Sequence, residues 1–63
     1  MIIETSSNQF FRVREFNQPM DHAWAGFPVK RFKGAWVRKI VRGEPAREII
    51  VRKAATRVVE GAL

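Results

Sequence analysis

The chain has 63 residues, and 12 Lys and Arg residues against six Asp and Glu residues give it a formal net charge of +6. Hydrophobic residues make up 46% of the chain, which excludes a disordered basic tail, because such tails are poor in apolar residues. With no cysteine and one histidine, the sequence also excludes disulfides and a Cys/His zinc site. We expect residues 1–63 to form a single compact domain. A domain of this size buries about 60% of its unfolded surface, so tight packing or a homodimer would have to supply stability.

Composition and motifs also argue against several functional classes. No segment approaches the roughly 18 apolar residues of a membrane span, and the first ten residues lack the pattern of a secretory signal. We therefore expect a cytoplasmic protein that does not contact membranes. The titratable residues are scattered apart from neighbouring Asp21 and His22, and no Gly-rich phosphate loop or nucleophile elbow is present. We expect neither an enzyme nor a protein that holds a cofactor or metal.

The first half of the chain contains one clear strand. In residues 9–16, QFFRVREF, apolar and charged residues alternate and aromatic residues are frequent, which predicts a β-strand. Ile2 and Ile3 predict a short strand before it, with a turn over residues 5–8. Residues 17–28 have no periodicity and contain two prolines, so they predict a long loop.

That loop is unusually apolar, because it carries Met20, Trp24 and Phe27. The favoured interpretation is that these three side chains close one end of the core. The alternative is that they form a surface for a protein partner, as in a small adaptor, inhibitor or assembly subunit.

Basic and apolar residues are interleaved from residue 29 to residue 42. Residues 36–42 predict a strand, Gly34 predicts a turn or bulge, and GEPA at 43–46 predicts a second turn. Pairing of residues 36–42 with a strand at 48–51 would then make a hairpin.

Residues 46–60 support two different structures. Apolar pairs recur every four positions, which is typical of an amphipathic helix, with Pro45 at its start and Gly61 at its end. Six of these fifteen residues are β-branched, which favours strands. The strand interpretation places a short turn near Ala54 and Ala55 and a last strand at 57–60.

Two fold classes follow from these elements. The favoured one is mainly β, a small antiparallel SH3-like barrel or sheet of four or five strands. The alternative is α+β, an antiparallel sheet with a C-terminal helix at about 46–60, and in an extreme form residues 35–42 are helical as well. The term SH3-like describes loop lengths and strand order only and implies no function.

The charge is concentrated in one segment. Residues 1–28 hold two basic and three acidic residues, residues 29–57 hold ten basic and two acidic residues, and residues 58–63 hold one acidic residue. The net charges are therefore −1, +8 and −1. Such a segment favours polyanions, because each neutralised phosphate releases counterions. We predict non-catalytic binding of nucleic acid, DNA or RNA, mainly through its phosphate backbone.

The candidate binding residues lie between positions 30 and 57. The cationic candidates are Lys30, Arg31, Lys33, Arg38, Arg42, Arg47, Arg52, Lys53 and Arg57. Phe32 and Trp36 lie within the basic stretch, and each is a candidate to stack on an unpaired base. For Trp36 the core is the favoured position and a stacking platform is the alternative. A basic surface would equally suit an acidic protein partner.

Overall fold

The computed structural model describes residues 1–16 and 22–61. Its strands are β1 (Ile2–Thr5), β2 (Phe10–Glu15), β3 (Ala23–Phe32), β4 (Ala35–Arg38), β5 (Ile40–Val41), β6 (Glu44–Pro45), β7 (Ile49–Arg52) and β8 (Thr56–Glu60). A short 3-10 turn, Lys53–Ala55, joins β7 to β8. All strand pairs are antiparallel, which confirms the predicted mainly β fold. Within the described part of the chain, no helix is long and apolar enough to span a membrane.

The main sheet curls into a barrel-like shape. Its strand order is β4-β3-β2-β1-β8, and β7 pairs with the first half of β3 beside β4. In a flat sheet, β7 and β8 would lie about 19 Å apart, since each step between strands is about 4.8 Å. Only three residues separate these two strands in the sequence. The sheet must therefore curve until its two ends approach each other.

The alternative fold with a helix at 46–60 is wrong, and residues 35–42 are not helical either. The strand β7 pairs with β3 in the register Trp24↔Val51, and β8 pairs with β1 in the register Ile3↔Val58. The β-branched residues fit these pleated strands, because their side chains pack well on a sheet and lose rotamer freedom in a helix. The 3-10 turn at Lys53–Ala55 and the strand that follows it match the strand interpretation, which placed a turn near the same two alanines.

Two connections differ from the sequence-based prediction. Residues 23–28, predicted as part of a loop over 17–28, form the first part of β3 instead, and residues 17–21 of that prediction lie outside the described residues. The predicted pairing of residues 36–42 with 48–51 is wrong. Instead β4 returns along β3 through a turn at Gly34, and residues 40–45 form a small hairpin of their own, β5 with β6. The GEPA pattern marked a real turn, but that turn begins earlier, at Arg42.

The core is small and lies on the inner face of the curled sheet. Its central cluster is Ile3, Phe11, Val13 and Trp24. The Trp24 indole Nε1 donates a hydrogen bond of 3.2 Å to the Thr56 hydroxyl, which in turn donates to the Lys53 carbonyl oxygen at 2.8 Å. This chain of bonds ties β3 to the 3-10 turn and to β8. It fixes the place where the two ends of the sheet meet.

The Thr56 hydroxyl provides the first testable prediction. We expect Thr56→Val to lower the free energy of unfolding by about 1–3 kcal/mol, because it leaves the part-buried Trp24 N–H without its acceptor. The Lys53 carbonyl loses the hydroxyl but keeps the hydrogen bond from the backbone N–H of residue 56. Thr56→Ser keeps the hydroxyl and serves as the control. Urea unfolding followed by tryptophan fluorescence measures both variants. Equal stability of Thr56→Val and the unsubstituted protein would show that this bond does not hold the sheet closed.

Candidate nucleic-acid interface

The hairpin of β3 with β4 presents the first group of basic residues. Phe32 pairs with Ala35, so Lys33 and Gly34 form a two-residue turn, with φ of 50° and 82°. Positive φ at both positions is the pattern of a type I′ turn. Lys30 and Phe32, two residues apart, project from one face of the strand, and Arg31 projects from the other. The hairpin therefore carries three exposed cations and an aromatic ring at one end of the sheet.

The hairpin of β5 with β6 presents a second group. Val41 pairs with Glu44, so Arg42 and Gly43 form another two-residue turn, with φ of 54° and 80°. The base of this hairpin is held to the main sheet by backbone bonds. The Lys39 N–H donates to the Pro28 carbonyl at 3.0 Å, and the Ala46 N–H donates to the Lys39 carbonyl at 2.8 Å. The Arg42 turn is thus exposed, while its hairpin is anchored to β3.

Four cations form ion pairs with glutamates from distant parts of the chain. These pairs are Arg14 with Glu48 at 3.0 Å, Arg31 with Glu60 at 3.8 Å, Lys53 with Glu15 at 2.6 Å and Arg57 with Glu4 at 2.6 Å. Three of the nine cationic candidates are therefore already neutralised in part. Among the described residues, the other six have no carboxylate within 4.0 Å: Lys30, Lys33, Arg38, Arg42, Arg47 and Arg52.

The nine candidates do not form one surface. Arg52 pairs with Ala23 at the start of β3, whereas Lys30 lies seven residues along the same strand, roughly 23 Å away at about 3.3 Å per residue. Lys53 lies at the same end as Arg52, and Arg57 lies on β8 against Glu4. The structure therefore separates Arg52 and Lys53 from the hairpin of β3 with β4, and Arg57 is partly neutralised by Glu4.

Arg38 has a structural role that its sequence position does not reveal. Its guanidinium Cζ lies 3.8 Å from the centroid of the Phe27 ring, and its Nε donates to the Ala46 carbonyl at 2.8 Å. Arg38 thereby covers Phe27 and holds the base of the β5–β6 hairpin.

The two aromatic candidates have different surroundings. Trp36 is half-buried, with the Phe10 ring centroid at 5.0 Å, the Arg31 guanidinium at 4.7 Å and an Nε1 hydrogen bond of 2.8 Å to Glu60. Phe32 is 54% exposed, and Ala35 is its cross-strand partner. The structure therefore leaves the Phe32 ring accessible and engages Trp36 on several sides.

The candidate protein-binding residues are also separated. Trp24 is buried in the core, as the favoured interpretation of the sequence predicted. Phe27 is half-buried under Arg38, and Met20 lies outside the described residues. A protein partner that used Trp24 would have to open the core.

Two features of the charge distribution were missed by reasoning from the sequence. The first is the set of ion pairs, whose members are 29, 34, 38 and 53 positions apart, so no local pattern could reveal them. The second is Arg12, which is exposed on β2 without a carboxylate partner among the described residues. The alternation in FFRVRE that predicted the strand was the signal that placed Arg12 on its outer face.

Compared with known proteins, the chain matches no family model, no curated protein and no solved structure.

Proposed function

We propose that this chain is a small, non-catalytic nucleic-acid-binding protein that contacts the phosphate backbone. The β3–β4 and β5–β6 hairpins would supply the contacts, through Lys30, Lys33 and Arg42. The observation that carries the proposal is that these three cations are exposed and have no carboxylate partner among the described residues.

The charge of the segment that holds these hairpins supports the same conclusion. Residues 22–45, which hold both hairpins, contain six cations and one acidic residue, Glu44 of β6, so this segment carries +5 of the +6 of the whole chain. A phosphate approaching the Lys33 turn meets no carboxylate from the β3–β4 hairpin, whereas Glu44 directly follows the Arg42 turn. Arg31 is the member of the segment that the fold partly neutralises, through Glu60 at 3.8 Å. Phosphate contacts of this kind are electrostatic and independent of base sequence.

Backbone conformation at the two turns adds a second argument. Lys33 and Arg42 both adopt positive φ, which costs a side-chain-bearing residue roughly 1 kcal/mol and which Asn or Gly adopts more readily. A hairpin selected for stability alone would carry Asn-Gly at these turns. The sequence has a cation followed by glycine at both, which places a positive charge at each tip at the expense of stability.

The proposal also covers the compartment and the oligomeric state of the protein. The lack of cysteine in the sequence supports a reducing compartment, and we propose the cytoplasm. Homodimerisation stays a prediction.

Matched pairs of neutralising substitutions test the proposed contacts. We expect Lys30→Gln with Lys33→Gln to reduce the slope of log affinity against log salt by about 1.4 on single strands, or by about 1.8 on duplex DNA, because two phosphate contacts are lost. Fluorescence anisotropy with labelled oligonucleotides, titrated between roughly 50 and 300 mM salt, provides the slope.

The control is Arg12→Gln with Arg14→Gln, which gives the same net charge. These two residues lie on β2, and the register of Arg12 with Phe27 places them on the opposite sheet face from Lys30. We expect this control to change the slope by less than half as much. Equal effects of the two pairs would mean that overall charge, and not the β3–β4 hairpin, determines binding.

A further inference from the structure

We infer that the exposed Phe32 ring stacks on an unpaired base, so that the ligand of the β3–β4 hairpin is single-stranded nucleic acid. This inference rests on the proposed function and adds the class of nucleic acid that the site accepts.

The surroundings of Phe32 favour a stacking role. The ring is 54% exposed at the end of β3, and its cross-strand partner is Ala35, whose methyl group is too small to cover it. The Lys33 ammonium lies over the Phe32 ring at 5.4 Å from its centroid, and no second aromatic ring packs against Phe32 among the described residues. A base on the open part of the ring would place its phosphate within reach of that ammonium. The exposed part of the ring and the cation over it match the two halves of a nucleotide, the base and the phosphate.

The position of Lys30 extends this arrangement along the strand. Lys30 and Phe32 share one face and lie about 6.6 Å apart along the strand, at about 3.3 Å per residue. Val37 is the cross-strand partner of Lys30. Lys30, Phe32 and Lys33 follow one another at this end of β3, and neither cation has a carboxylate within 4.0 Å among the described residues. A single strand running along β3 would meet all three groups.

Trp36 does not provide the same site. Its indole N–H is bonded to Glu60, the Arg31 guanidinium lies over its ring, and Phe10 packs against it. A base would have to displace Arg31 to reach that ring. The carboxylate of Glu60 would also repel the incoming phosphate.

The preference for single strands follows from the chemistry of stacking. In a duplex, each base is already stacked between its neighbours, so an aromatic side chain gains no base face without disrupting the helix. Unpaired bases offer a free face whatever their sequence, and aromatic side chains bind them without base preference.

The test compares Phe32→Ala with Phe32→Leu and Trp36→Phe on a single-stranded 12-mer of DNA, the same 12-mer of RNA and a 12-base-pair DNA duplex. We expect Phe32→Ala to weaken binding to at least one of the single strands by about 5- to 100-fold and duplex binding by less than about twofold. Phe32→Leu should lose nearly as much, because it keeps the apolar volume but not the aromatic face. Trp36→Phe should bind as the unsubstituted protein does. Circular dichroism confirms that each variant is folded.

The outcomes separate this inference from the proposed function. If Lys30→Gln with Lys33→Gln weakens binding and Phe32→Ala does not, the phosphate contacts stand and the stacking site is refuted. If Phe32→Ala weakens duplex and single-strand binding equally, the ring acts as a wedge in duplex DNA and the single-strand preference is wrong. If the unsubstituted protein binds none of the three oligonucleotides at about 50 mM salt, both proposals fail.

Discussion

Gly26→Ala lowers the free energy of unfolding by about 3 kcal/mol or more, the largest effect on stability that we expect from any single methyl group in this chain. Gly26 lies in the middle of β3, buried between Val13 of β2 and Ile49 of β7. A Cβ atom there would collide with the Arg12 carbonyl oxygen and would lie 2.6 Å from Val13 Cγ1. The Val13 Cα would lie 2.8 Å away, so two of the three close atoms belong to the backbone and a side-chain rotation cannot relieve these contacts.

The consequence is severe because the domain is small. A chain of 63 residues has a total stability of about 3–9 kcal/mol, so this loss would leave much of the protein unfolded. Chemical unfolding at about 25 °C, followed by tryptophan fluorescence, measures the change.

Gly34→Ala is the matched control. Gly34 also has a constrained backbone, with φ of 82°, but nothing lies within 4 Å of the position that a Cβ atom would occupy there. We expect this control to cost about 1 kcal/mol, the penalty for positive φ alone. If Gly26→Ala is no more destabilising than Gly34→Ala, the strands around Gly26 are less closely packed than the structure shows.

The second large effect is a rise in stability together with a loss of affinity for nucleic acid. We expect Lys33→Asn with Arg42→Asn to raise the free energy of unfolding by about 1–2 kcal/mol, since Asn adopts positive φ more readily than Lys or Arg. In a domain of this size that gain corresponds to an increase in Tm of roughly 8–15 °C. The same substitutions remove two exposed cations from the hairpin tips, and we expect affinity for nucleic acid to fall by about tenfold or more at ~100 mM salt.

The charge-conserving control is Lys33→Arg with Arg42→Lys. It keeps both cations and both strained turns, so stability and affinity should stay near those of the unsubstituted protein. Thermal unfolding and anisotropy titrations on the same samples provide both quantities. If Lys33→Asn with Arg42→Asn gives a more stable protein that binds equally well, the two turn cations have no part in binding.

Local elements were easier to predict from the sequence than the pairing between them. Alternation in residues 9–16 predicted β2, and the β-branched residues near the C terminus favoured the strands that the structure shows. The order in which the strands pair was harder to predict, because Pro28 and Gly26 made residues 17–28 resemble a loop. In the structure Gly26 is required for close strand contact, and Pro28 pairs with Phe11 inside β3. Residues that usually break strands are used here within one.

The sequence predicted which residues make the segment basic, but not how the fold arranges them on the surface. The sequence placed the cations between residues 30 and 57. Which of these cations form ion pairs depends on glutamates of β1, β2 and β8, which are distant in the sequence. The different environments of Phe32 and Trp36 arise in the same way. Trp36 is engaged because β8 brings Glu60 to it across the sheet, and no local pattern around Trp36 contains that information.

The salt dependence of binding by the unsubstituted protein tests the central claim most directly. We predict that affinity for a single-stranded oligonucleotide of about 20 nucleotides falls steeply between about 50 and 200 mM salt, with a log–log slope of about −2 to −3, as expected for three or four neutralised phosphates at about 0.7 each. A slope near zero, or no measurable binding at about 50 mM salt, would contradict it.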